Sequence, residues 1–126
     1  QKSMDLVVAV YEVADQLPQT ERFELARQLR RAVVSVPANI AEGTGRAHLG
    51  EYIHHLYFAR GSLMEVSTLL EIARRLDYLS ESSLVACLEF VDHVSRMLCR
   101  LVERLEQRRP LPRAAGRRPR AGSSVS

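Results

Sequence analysis

The chain has 126 residues, 46% hydrophobic and 26% charged, which suits one soluble globular domain and leaves no room for two separate cores. Its 6 Gly and 5 Pro cluster at a few places, which excludes an all-β chain needing a turn about every 8–12 residues, and no apolar run approaches the ~18 residues of a membrane span. The formal charge of +3 divides unevenly: residues 1–109 hold 14 Lys and Arg against 15 Asp and Glu, whereas residues 110–126 hold Arg113, Arg117, Arg118 and Arg120 and no acid.

The first predicted helix runs from about Lys2 to Leu17, with Leu6, Val10, Val13 and Leu17 in 4-3-4 spacing. Pro18 stops it, and Thr20, followed by Glu21 and Glu24, is a capping candidate for the next. The second, about Glu21 to Glu42, carries a seam of Ala26, Leu29, Val33, Val36 and Ile40. Pro37 lies inside that seam; its ring presses on the Val33 carbonyl, which predicts one kinked helix rather than two. Gly43 and Gly45 end the segment. The third, about Gly50 to Leu76, repeats the pattern with Leu56, Ala59, Leu63, Val66, Leu70 and Ala73, and Gly61 within it suits the close approach of a neighbouring helix. Ser80 is an N-cap candidate for the fourth, whose expected seam is Leu84, Leu88, Val91, Ser95, Leu98, Val102 and Leu105.

Four amphipathic segments with short links predict an all-α, antiparallel up-down-up-down four-helix bundle over residues 1–109. Residues 110–126, rich in Arg and breakers, predict a disordered tail. Cys87 and Cys99 form no CxxC, and Asp5 and Glu12 flank the short Leu6–Val10 run, so reduced thiols, no secretory signal and a cytoplasmic location are expected. The start at Gln1 points to a trimmed or misassigned beginning.

Catalytic patterns are absent. A di-metal carboxylate bundle needs two ExxH motifs; the sequence has Glu51-Tyr52-Ile53-His54 alone, aimed away from the core, and Glu89 and His93 stand four apart. No HExxH, GxSxG or phosphate-binding loop occurs, and His48, His54, His55 and His93 form no zinc pattern. No enzyme activity, metal or cofactor is expected.

Two features invite a binding role. Around Pro37, Asn39 and Glu42 break helix rules, either to hydrogen-bond across an interface or to Arg46, or simply to face water. Arg27 and Arg31 stand one turn apart beside Arg30, with Arg46 beyond; the planar guanidinium suits phosphate, although a solvated, salt-bridged face is the commoner use.

The stretch Gln28-Leu29-Arg30-Arg31-Ala32-Val33-Val34-Ser35-Val36-Pro37-Ala38-Asn39-Ile40-Ala41-Glu42-Gly43 resembles the signature of the 23S rRNA intervening-sequence-encoded family. Ala59-Arg60-Gly61-Ser62-Leu63-Met64-Glu65, with Leu76-Asp77-Tyr78-Leu79, is similar to its second block, and the likeness covers about residues 4–107. The resemblance implies a four-helix bundle in a ring-like, typically pentameric assembly. A more distant likeness, to the accessory protein of diversity-generating retroelements, implies nucleic acid as a partner, although a slightly acidic bundle departs from that pattern. The family positions are Ser35, Pro37, Asn39, Glu42, Gly43, Gly61, Ser62 and Glu65, expected to shape a subunit interface or the fold itself. The combined expectation is a non-enzymatic homo-oligomer touching RNA or DNA through Arg27, Arg30, Arg31, Arg46, Arg113, Arg117, Arg118 and Arg120; the alternative is a protein-interaction scaffold that binds no nucleic acid. No membrane contact is expected.

Overall fold

The structure, a computed structural model, describes residues 1–109. Four helices form: α1 (Lys2–Gln16), α2 (Leu25–Thr44), α3 (Leu49–Arg75) and α4 (Glu81–Gln107), with a short 3-10 turn, Gln19–Glu21, after α1. No strand occurs among the described residues. Each helix packs on its neighbours in chain order and α4 closes back onto α1, so the architecture is the expected four-helix bundle. The tail expected to be disordered, with Arg113, Arg117, Arg118 and Arg120, lies outside the described residues.

The 3/4 spacing of apolar residues builds one shared core. Leu6, Val10, Val13 and Leu17 of the first segment are buried, as are Ala26, Leu29, Val33 and Val36 on α2 and Leu56, Ala59, Leu63, Val66, Leu70 and Ala73 on α3. Burying a Leu or Val side chain contributes about 1.5–3 kcal/mol each, and this is what holds the helices together. The α4 seam differs from expectation. Leu88 is 38% exposed and Ser95 half-buried, while Cys87 and Val94 turn inward beside Leu84, Val91, Leu98, Val102 and Leu105. A free Cys behaves as a small hydrophobe, so Cys87 takes a core place without penalty.

The links explain the helix ends. Thr20 does not cap α2: the 3-10 turn, closed by Glu21 N–H to Pro18 O at 2.8 Å, continues the reversal, and α2 starts only at Leu25. The tight turn lets the chain fold back before apolar periodicity resumes. α2 passes through Pro37 as one helix. At the end of α3, Asp77 adopts a left-handed φ of 60°, and Tyr78 N–H closes on Ala73 O while Asp77 N–H closes on Arg74 O, both at 2.9 Å. This closure satisfies the last carbonyls, and Asp is among the few residues that tolerate the conformation. Ser80 caps α4 as expected, accepting from the Ser83 N–H at 3.3 Å. Tyr78 Oη donates to Glu21 at 3.0 Å, tying the α3–α4 link to the α1–α2 link; accepting charge next to the phenol raises the Tyr78 pKa.

Candidate functional site

α2 and α3 approach most extensively of all helix pairs, and the family positions explain how. Ser35, Asn39 and Gly43 recur every fourth residue, forming one ridge of small and polar side chains on α2. Gly43 is buried under Tyr52 and His55; a Cβ there would stand 2.8 Å from Tyr52 Cδ1 and 3.1 Å from His55 Cβ. One turn earlier, Asn39 Nδ2 donates to Ser35 O at 2.9 Å, which leaves Asn39 Oδ1 to accept from His55 Nδ1 at 3.2 Å. Ser35 and Ser62 are hydrogen-bonded hydroxyl to hydroxyl, and Ser35 Oγ also donates to Ala32 O at 3.1 Å. Four of the eight family positions therefore meet inside a single protomer.

The other four lie around this seam. Glu42 is exposed and pairs with Arg46 at 2.8 Å, one of the pairings left open for it. Pro37 is half-buried, and exposed Glu65 lines the shallow groove shared with Gln28, Arg31, Ala32 and Ser35. Gly61 corrects the sequence reading: a Cβ on it would meet nothing within 4 Å among the described residues, so neither neighbour of α3 in the protomer needs that glycine, and the close approach happens at Gly43 instead.

No catalytic arrangement emerges among the described residues. His55 bonds Asn39, not a hydroxyl, and among the described residues no hydrogen bond joins a histidine to a serine or cysteine and no group of three or more His, Cys, Asp or Glu could hold a metal ion. Glu51 and His54 are exposed, as their positions on the third segment predict. Burial pushes the Cys87 thiol up to about 11, which keeps it protonated and unreactive. No helix among the described residues is long and apolar enough to cross a membrane.

The surface carries the binding features. Arg30 pairs with Asp15 at 3.1 Å and lies over the Tyr11 ring at 5.8 Å, and Arg46 is held by Glu42. Arg27 and Arg31 are exposed and form no ion pair among the described residues. Beside them the α1/α2 face exposes Met4, Val8 and Tyr11, which follow one stripe of α1, together with Val34 and Ala38 of α2. Tyr11, Arg30, Arg31, Val34, Ser35 and Ala38 line one groove, so the apolar stripe and the arginines adjoin. On α3, Tyr57, Phe58 and Met64 are exposed around the open Gly61, and Ile72 is exposed about three turns further on.

The sequence reading missed a second set of arginines. Arg96, Arg100, Arg104 and Arg108 are all exposed at four-residue intervals along the second half of α4 and its cap. The signal was present as an uninterrupted i, i+4 repeat.

Comparison with known proteins agrees with the geometry. A structural relative is the crystal structure of a protein of unknown function from the S23 ribosomal protein family of Bacteroides thetaiotaomicron. It is 20% identical, covers 80% of this chain and 94% of its own, and superposes with a TM-score of 0.75. At that identity the likeness speaks for the fold alone. A search of curated proteins found no match. The model of the 23S rRNA-intervening sequence protein family matches residues 1–100, across the α2/α3 seam and most of α4, and the chain belongs to that family.

Proposed function

We propose that the protein is a non-enzymatic homo-oligomer, pentameric as the family resemblance implies, that binds nucleic acid on the surface of the assembled bundles. The observation carrying this reading is the α1/α2 face, where an exposed apolar stripe of Met4, Val8, Tyr11 and Val34 adjoins Arg27 and Arg31, which have no ion-pair partner among the described residues. The core is already complete without these side chains, so their exposure fits a surface that another chain covers. Cyclic repetition of the protomer would then repeat its free arginines around the ring, concentrating charge that residues 1–109, with 14 basic against 15 acidic residues, lack in a single copy.

The test separates assembly from binding. Light scattering of the 14.2 kDa chain should give about 71 kDa for a pentamer. Val8→Glu with Val34→Glu should reduce that mass to the monomer's without loss of helicity. A wild-type monomer would overturn the assembly. Failure to bind duplex RNA or duplex DNA at low salt would overturn the nucleic-acid half. The second reading, a protein-interaction scaffold, draws support from the Arg30–Asp15 and Arg46–Glu42 pairs, which neutralise two of the four bundle arginines first expected to touch phosphate.

A further inference from the structure

The arginines of α4 form a more regular electropositive surface than those of α2. From residue 93 onward the chain holds nine arginines against Glu103 and Glu106, a formal charge of +7; residues 1–92 carry nine basic residues against thirteen acidic ones, a charge of −4. The basic half thus begins inside the bundle, not at the tail. Within it, Arg96, Arg100, Arg104 and Arg108 stand every fourth residue and are all exposed. Their Cα atoms rise about 6 Å per step along the helix, about 18 Å from first to last. That length matches roughly five phosphates of one strand of a duplex.

Little in the protomer neutralises this row. Asp92 pairs with Arg96 at 2.7 Å, so the first arginine is occupied. Glu106 accepts from Tyr57 Oη and pairs with Arg109, which draws both away from the row. Arg100, Arg104 and Arg108 form no ion pair among the described residues, and Glu103 is the one acid between them that no arginine holds. The row also approaches the negative end of the α4 dipole, where cations are favoured.

Building on the nucleic-acid reading above, the geometry points to this row, centred on Arg100, Arg104 and Arg108, as the surface that binds the sugar-phosphate backbone of a duplex. Guanidinium forks match phosphate oxygens in pairs, and an evenly pitched row suits an evenly charged polymer. A membrane surface is the poorer fit: a helix lying on lipid sets apolar side chains beside its basic ones, and the exposed Val85 and Leu88 of α4 lie at its other end. Contacts of this kind position a backbone and read no bases, so affinity should be insensitive to sequence.

The experiment is a salt series, from about 50 to about 300 mM, on labelled duplex RNA and duplex DNA of one sequence, using the full chain. Three variants are compared with wild type: R100Q/R104Q/R108Q, R27Q/R31Q and R113Q/R117Q/R118Q/R120Q. The α4 variant should lose at least tenfold in affinity at about 100 mM salt. Its dependence of log affinity on log salt should become shallower by about 3, near 0.9 for each phosphate contact removed. Its helical circular dichroism and its mass by light scattering should match wild type, which sets aside unfolding. The relative affinity for the two duplexes tells which helix form the row fits better. Wild-type-like binding by the α4 variant, with loss in the α2 or tail variant, would overturn the assignment while leaving nucleic-acid binding intact. Binding of phosphatidylserine vesicles without either duplex would overturn both, as would no binding at all.

Discussion

The two sides of the bundle are held by different chemistry. Between α2 and α3 the contact is made of small and polar groups: Gly43 under Tyr52 and His55, Asn39 on His55, Ser35 on Ser62. Between α4 and α1 it is mostly Val, Leu and Ala, with the Cys87 thiol donating to Ala9 O at 3.5 Å and Ser83 donating to Gln16 near the helix ends. The first kind of contact brings backbones close and accepts one register, because a one-turn slip would strand half-buried donors and put a side chain where only Gly43 fits. The second kind supplies burial and tolerates small shifts. All eight family positions lie in the α2/α3 seam or within a turn of its members, so the family pattern describes how two helices meet. The α4 arginines lie outside that pattern altogether.

The apolar side should show the larger cost of truncation. Leu98, 1% exposed, lies at the centre of the α4 stripe, and Leu98→Ala should destabilise the protein by about 3 kcal/mol in urea unfolding, through lost transfer free energy plus a cavity. The tight side should instead resent added volume. Gly43→Val should cost about 2 kcal/mol, because Tyr52 and the His55 Cβ must both move. If Gly43→Val proved neutral, the account of the seam as a close fit would fail. Asn39→Ala should cost about 1 kcal/mol, since it leaves His55 Nδ1 without its acceptor in a half-buried place. Gly61→Ala should do the opposite and stabilise the isolated protomer by roughly 0.5–1 kcal/mol, since helix propensity improves and nothing stands near the new methyl. A loss of oligomer mass in that variant would place Gly61 against another chain.

The two glycines show where sequence stops being informative. Both lie on a helix, and both belong to the family pattern, yet one is buried beneath an aromatic ring and the other faces open space. Only the partner helix distinguishes them, and its position is not local information. The helices themselves were legible because Leu6, Val10, Val13 and Leu17 on one segment, and Leu56 through Ala73 on another, keep the 3/4 alternation without exception. The fourth seam failed at Leu88 and Ser95: a strict 4-3 alternation from Leu84 lands on them and passes over Val94, and burial of the Cys87 thiol is invisible to a pattern of aliphatic residues. The start of α2 failed because backbone bonds close a 3-10 turn directly after Pro18, and no side chain caps either that turn or α2. The α4 arginines were plain in the sequence, but dividing the charge at Arg109 grouped them with the acids of the first three helices and hid the +7 of the C-terminal part.

The effect that is smallest at neutral pH probes the α1/α4 side through Cys87, the one titratable group buried in the core among the described residues. Burial raises the Cys87 thiol from 9.0 to about 11 in the folded protein, so the folded state holds this proton more tightly than the unfolded chain does. The stabilisation linked to it is therefore complete below pH 9 and declines as pH rises from 9 toward 11, where the unfolded chain gains from ionising and the folded protein does not. The difference amounts to a few tenths of a kcal/mol at about pH 9 and roughly 1 kcal/mol at about pH 10. Other groups also titrate in this range, so the informative quantity is the stability of wild type minus that of Cys87→Ala, measured by urea unfolding at successive pH values. That difference should shrink steadily through the window. Alkylation at about pH 8 should meanwhile modify exposed Cys99 quickly and Cys87 only as fast as the α1/α4 side opens. A pH-independent difference, with both thiols reacting at one rate, would mean that this side is open to solvent in the native state and that the α2/α3 seam alone holds the register of the bundle.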